Sequence, residues 1–416
     1  MKREIVKTSK NAGAWPCWAL VLVAIAAYFG TPRFTGAIVP ALNHFPRYAE
    51  AFLHGQLGIS PIDNPRLPIS ELIPSADMSL FYCPYPPLPA ILLMPFVAVF
   101  GGGVTSAIAC RVMSVINVLL FDMCLARIPA KLGQPTFTNA NRFLIGAFFA
   151  LGTVTWHNAH AGGDWHLAHA VTLSAELLAL HEFLGKNRPL WIGGFLAMVF
   201  MTRPTAVLSC LFVLFPLLRR PSAGAIARCA TLPVAAIVLL GSYNAARFGN
   251  PFDFGYSRMW LTGAGKQLME TYGQFHPHFV PRNFFWFFLA PPWTRPDAAI
   301  PLGFDPNGLS LFLASPALLF CFVSLRKERR TVLVRDALLS IALCLIPLLM
   351  YFNSGYVQFG HRFSMDYLAP LMLITIIGMG TQPSIGAIGL MILSIAIQAG
   401  GNLGLAYTQL PAWLRP

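Results

Sequence analysis

The sequence predicts an all-α, polytopic integral membrane protein with about 11–13 transmembrane helices. A large first external loop carrying an amphipathic helix completes the expected fold class. Three observations predict it. Only 11% of the 416 residues are charged and 56% are hydrophobic, whereas a soluble domain carries about 25% charged residues. Apolar runs long enough for about 30 Å of hydrocarbon recur along the chain. Those runs do not alternate polar and apolar residues, so they read as helices that satisfy their own backbone in lipid, not as barrel strands.

The net charge is +13. In a soluble protein this would suggest nucleic acid. Here Lys and Arg cluster in short loops, the pattern that sets membrane orientation, so they read as topology signals and contacts to anionic lipid. No nucleic-acid module is present. The eight Cys, at 17, 83, 110, 124, 210, 229, 321 and 344, show no paired spacing. Neither a disulfide framework nor a thiolate metal site is supported.

The whole chain, 1–416, reads as one transmembrane domain. A basic tail, Met1 to Lys10, precedes an uncleaved first span at about 14–30. Residues 31–86 form the first external loop. Within it Ile38, Leu42, Phe45, Tyr48, Ala49, Phe52 and Leu53 recur at helical spacing, with Asn43, His44, Arg47, Glu50 and His54 opposite. That is an amphipathic helix lying in the interface. Prolines at 84, 86, 87 and 89 then forbid helix before about Leu88. They hold the acid-bearing loop that enters the next apolar run in one geometry.

Further spans are expected near 88–101, 104–127, 139–158, 166–184, 189–202, 204–218, 223–246, 307–325, 334–352, 366–380 and 383–400. Residues 247–306 form a second large external loop rich in aromatics and prolines. Trp260, Phe284 to Phe288 and Trp293 lie within it and read as an interfacial belt. Positive-inside counting works from residue 184 onward and places Asp164, Arg203 and the 247–306 and 353–365 loops on one side. It conflicts with Arg127 and Lys131, unless 88–101 fails to cross. The overall pattern fits a bacterial inner membrane.

Several motifs carry a resemblance. They are Tyr-Ala-Glu-Ala-Phe-Leu-His-Gly-Gln-Leu at 48–57, Asp77 through Tyr82, and Pro-Pro-Leu-Pro-Ala-Ile-Leu-Leu at 86–93. Phe-Met-Thr-Arg-Pro-Thr at 200–205, Arg-Phe-Gly-Asn-Pro-Phe-Asp-Phe-Gly-Tyr at 247–256, and Gln-Phe-Gly-His-Arg-Phe-Ser-Met-Asp-Tyr-Leu-Ala-Pro at 358–370 join them. Together they resemble the GT-C superfamily of membrane glycosyltransferases, of the protein mannosyltransferase and aminoarabinose transferase type. The resemblance implies an inverting hexosyl or pentosyl transfer from a polyprenyl-phosphate-linked sugar at the external face. The acceptor class it leaves open is a lipid, glycan or protein. A loop carboxylate would act as base and a lipid phosphate would leave.

Such chemistry needs a base near the acceptor hydroxyl, fixed positive charge at the phosphate and an apolar groove for the lipid. The first loop offers Glu50, Asp63, Glu71 and Asp77, though none in residues 31–49, where many relatives of this type carry their acid. The proline brace favours Asp77, with Glu50 second. For the phosphate, His361 and Arg362 precede a span that starts at Asp366, and Arg presents a planar fork suited to phosphate oxygens. Arg203, which interrupts an apolar run, is a further candidate. Asp164 and His166 are expected to contact substrate. The His157/His160 and His166/His169 pairs suggest Zn²⁺ or Mn²⁺, but each is a common helical spacing, so no metal or cofactor is assigned. Arg111 and Asp122, eleven residues apart in one span, each need a partner on another helix. A transporter of lipid-linked sugars, a metal-dependent hydrolase and a non-catalytic subunit are the rival readings. The first lacks the internal repeat it would carry.

Overall fold

The computed structural model describes residues 15–31, 43–61, 71–259, 261, 263–292, 305, 307–326, 328–329, 331–355 and 358–407. The basic tail, Asp63, Trp260 and Trp293 lie outside them. Among the described residues the only paired strands are Ile73–Pro74 and Phe81–Tyr82, an antiparallel hairpin with Ile73 opposite Tyr82. The rest is helix and connecting loop, a polytopic membrane architecture.

Among the described residues six helices are long and apolar enough to cross a membrane: Ser106–Leu132, Asp164–Leu184, Ala223–Phe248, Val332–Met350, Arg362–Met379 and Ile385–Gly404. Shorter apolar helices at Cys17–Gly30, Leu88–Gly103, Pro189–Phe200 and Pro204–Val213 fill the places between them. The expected 139–158 span is broken at Gly152 into Asn139–Leu151 and Val154–Ala161. Thr153 restarts the helix by accepting the backbone N–H of Thr155.

Burial sorts the helices. Asp164–Leu184 and Arg362–Met379 are enclosed by protein along nearly their whole length. Outer helices turn apolar side chains outward, as Ala223–Phe248 does with Val234, Ile237, Val238 and Leu239. In lipid, exposed aliphatic surface carries no penalty. The enclosed pair carries most of the polar groups described below.

The conflict over Arg127 and Lys131 resolves in the fold. Arg127 donates to the carbonyl of His181 at 2.8 Å and Lys131 to that of Phe183 at 3.1 Å. Both therefore sit at the C-terminal end of Asp164–Leu184, beside Lys186 and Arg188, and the charge rule holds. Leu88–Phe100 is the element that does not cross. Its first residue bonds to Met201 O at 3.2 Å. Its far end leads into Ser106, whose hydroxyl donates to Asp164. Both ends thus lie on the Asp164 side, and the amphipathic helix His44–Leu53 packs along it.

Buried ion pairs lock the other end. Arg142 forks onto Asp122 at 2.5 and 2.6 Å, the inter-helix partner that Asp122 requires. Arg111 lies over the Phe29 ring at 5.6 Å. All eight Cys are free and seven are buried.

Close helix approach depends on particular glycines. A Cβ at Gly378 would lie 1.9 Å from the Phe320 carbonyl oxygen, a backbone atom that cannot rotate away. Gly389 has nothing within 4 Å. Gly378→Ala is expected to destabilise the protein by about 1–3 kcal/mol through overpacking. Gly389→Ala is expected to be neutral or slightly stabilising. Apparent Tm values of the two variants in detergent check this. Equal values would remove the packing argument.

Candidate functional site

A cavity of about 1090 Å³ opens at the N-terminal end of Asp164–Leu184. Segments distant in sequence line it: Glu71 and Tyr85, Trp165 and His169, Arg203, the 254–282 stretch and the 347–363 stretch. It holds three guanidinium groups, Arg203, Arg282 and Arg362, and one carboxylate, Glu71.

The proline cluster positions one wall. Tyr85 stands between Pro84 and Pro86, with its ring against Phe45 at 5.9 Å and Tyr256 at 6.5 Å. Its hydroxyl donates to Glu71 Oε2. The indole N–H of Trp165 is shared between the same oxygen at 2.8 Å and the Tyr85 hydroxyl at 2.6 Å. Glu71 itself has φ +67°, in the left-handed region that a non-glycine residue enters at a cost. Burial pushes its carboxyl above the ordinary glutamate range. The Tyr85 and Trp165 bonds and the nearby Arg362 charge oppose that rise.

The far wall carries the positive charge. Arg362 opens the turn Arg362–Tyr367, and its backbone N–H donates to Gln358 Oε1 at 3.0 Å. Gln358 is held in turn by the carbonyls of Asn307 and Ser354. The Arg362 guanidinium lies 4.5 Å over the Trp165 ring and 5.2 Å over Phe363. The residue is only 3% exposed, yet Nε and Nη1 have no hydrogen-bond partner. Asp366, four residues on, is not its partner. Arg203 forks onto that carboxylate with two bonds of 2.7 Å, and His169 Nδ1 meets it at 2.9 Å. Arg203 is therefore neutralised by Asp366, whereas Arg362 Nε and Nη1 remain without a hydrogen-bond partner.

The sequence candidates divide accordingly. Arg203 and Arg362 line the cavity, and Asp366 anchors Arg203 from behind. His361 sits next to the cavity rather than lining it, with its ring stacked on Phe287 at 3.4 Å. His166 is buried, and its backbone carbonyl accepts from Asn158. Asp164 does not face the cavity. Its carboxylate accepts the backbone N–H groups of His44 and Phe45, at 2.8 and 3.1 Å, and the Ser106 hydroxyl at 2.6 Å. It caps the amphipathic helix. Glu50 is exposed on that helix.

Asp77 lies at the exposed tip of the 73–82 hairpin, outside the cavity lining. The hydroxyls of Ser75 and Ser79 donate to it at 2.6 and 2.8 Å. Those bonds pull its carboxyl down to about 2. The prolines do not hold Asp77 at the helix mouth; Pro84 and Pro86 flank Tyr85, which bonds Glu71. The hairpin carries Asp77 away from the helix mouth. Among the described residues no group of three or more His, Cys, Asp or Glu is arranged to hold a metal. His157 and His160 both turn to Asn402 Oδ1, and His169 turns to Asp366.

Glu71 had no sequence feature to separate it from the other loop acids. Trp165 and His169 did carry a weak signal, since their i, i+4 spacing puts both on one helix face.

No protein-family model matches the chain, and no curated protein matches it at a significant level. Solved structures do. One is ArnT from Cupriavidus metallidurans bound to undecaprenyl phosphate, at 13% identity and TM-score 0.53 over 94% of this chain and 64% of that one. Another is the apo oligosaccharyltransferase of Archaeoglobus fulgidus, at 11% identity and TM-score 0.51 over 97% and 57%. The chain spans about three fifths of the length of these structures. At such identity the likeness is one of fold alone, shared with these two membrane proteins.

Proposed function

We propose that the chain is a membrane glycosyltransferase that moves a sugar, with inversion, from a polyprenyl phosphate to a hydroxyl of a lipid, glycan or protein acceptor. The transfer takes place at the external face. The observation that carries this reading is the buried, unpartnered guanidinium of Arg362 sharing one cavity with Glu71.

Buried cations are ordinarily paired. A cation with two buried N–H groups unsatisfied suits an anion that arrives and departs. Guanidinium geometry matches two phosphate oxygens. Asp366 holds Arg203 at the same wall as a neutral ion pair. In the step itself, Glu71 takes the acceptor's hydroxyl proton and the oxygen attacks the anomeric carbon. The carbon–oxygen bond to phosphate breaks, and its electron pair goes to the phosphate oxygen beside Arg362. The departing polyprenyl phosphate, a phosphate monoester, is a weak base, so no general acid is required. The ArnT structure, with undecaprenyl phosphate bound to the same fold, supports a lipid phosphate as the anion.

Purified protein in nanodiscs, incubated with radiolabelled undecaprenyl-phosphate sugars and membrane extract, tests the reading. Transfer from at least one donor with release of undecaprenyl phosphate is expected. Absence of transfer from every donor, in protein that stays folded, contradicts it. In the same assay Asp77→Ala is expected to change turnover by no more than about twofold, because the side chain is exposed and outside the cavity. A loss of a hundredfold would return the base to the hairpin tip.

A further inference from the structure

The donor's sugar is read by a histidine, and the geometry points to His169 as that residue. This inference rests on the function proposed above.

His169 lines the cavity. Its Nδ1 lies 2.9 Å from Asp366 Oδ1. That carboxylate already accepts two bonds from Arg203 and can only accept, so Nδ1 carries the proton. The neutral ring then presents Nε2 as a lone-pair acceptor. Nε2 is buried and has no partner. The side chain is held further by the Phe363 ring, edge-on at 5.7 Å.

The chemistry of the donor selects what can meet that nitrogen. The prenyl chain has no donors. Phosphodiester oxygens only accept. Of the guanidinium groups nearby, Arg203 forks onto Asp366, and Arg362 is taken by the phosphate in the function proposed above. A sugar hydroxyl or amino group remains as the uncharged donor that fits. Position agrees with this. Trp165, which binds Glu71, precedes His169 by one helical turn, about 6 Å along the axis. Glu71, Trp165, His169 and Arg362 line the same cavity.

The test is lipid binding, which needs no acceptor. Affinities for bare undecaprenyl phosphate and for a panel of undecaprenyl-phosphate sugars are measured on wild-type, His169→Ala and His169→Gln protein in nanodiscs. The wild type is expected to bind at least one sugar-bearing lipid more tightly than the bare one. His169→Ala is expected to cut that preference by roughly 3- to 10-fold, the loss of one neutral hydrogen bond. Affinity for the bare lipid should stay within about twofold. His169→Gln, whose amide oxygen can accept at a similar reach, should keep part of the preference.

Equal weakening toward bare and sugar-bearing lipids, or an unchanged preference, overturns the assignment. So does intact binding with collapsed turnover, which would place the acceptor at His169 instead. A wild type that binds bare lipid without any sugar preference also overturns the His169 assignment alone. A wild type that binds no lipid phosphate overturns the transferase reading beneath it.

Discussion

Arg362→Met is expected to weaken binding of undecaprenyl phosphate severely while leaving the protein as stable as before, or more so. The two halves of this result have one cause. In the unliganded chain the guanidinium is enclosed, with Nε and Nη1 unsatisfied and its flanks against Trp165 and Phe363. Stacking on aromatic rings recovers only part of what desolvation costs. Methionine fills similar space without a charge to desolvate, so the apparent Tm should hold or rise. Binding should fall by roughly 30- to 5000-fold, the 2–5 kcal/mol typical of losing one side of a buried charged pair. Arg362→Lys should recover part of the affinity, as a point charge without the fork. Lipid titration with a parallel melting curve measures both. A variant that melts lower yet binds normally would make Arg362 a structural residue.

Glu71→Gln is expected to lower turnover by about 10²–10⁴-fold, the usual contribution of a positioned base, with lipid binding little changed. Glutamine keeps the size of the side chain and an oxygen for the Tyr85 and Trp165 bonds. It cannot take a proton. The pH profile gives an independent check. With Glu71 as the proposed base, transfer needs it ionised, so activity is expected to fall as pH drops through its pKa. Burial has raised that pKa, so the acid limb of the wild type should lie above the ordinary glutamate value. The Tyr85 bond favours the ionised form, so Tyr85→Phe should move the limb higher still. An acid limb in the ordinary glutamate range, or one that Tyr85→Phe leaves in place, would count against Glu71 as the base.

Much of this was legible in the sequence, and the residues show why the rest was not. Composition and apolar length specify the helical membrane fold because lipid admits few alternatives. Arg203 and Arg362 stood out because a charge amid apolar sequence is expensive, and so is retained for a reason. Loop acids carry no such mark. Asp77 and Glu71 are six residues apart in one loop. A two-residue hairpin, too short to show periodicity, sends the first outward and leaves the second in the cavity. Asp164 misled for a related reason. A carboxylate at a helix start serves capping as well as substrate, and only the partners His44, Phe45 and Ser106 tell which. The pairing of Asp366 with Arg203, 163 residues away, instead of its i+4 neighbour Arg362 is a tertiary fact. That choice leaves Arg362 unpaired.

The central claim is that one cavity joins Glu71 to an anion seat on Arg362. A cryo-electron microscopy structure with undecaprenyl phosphate bound tests it most directly. The account predicts the phosphate oxygens within hydrogen-bond distance of Arg362 Nε and Nη1, with Glu71 facing the same enclosed space. A phosphate bound elsewhere, with those two nitrogens still unpartnered, would contradict it.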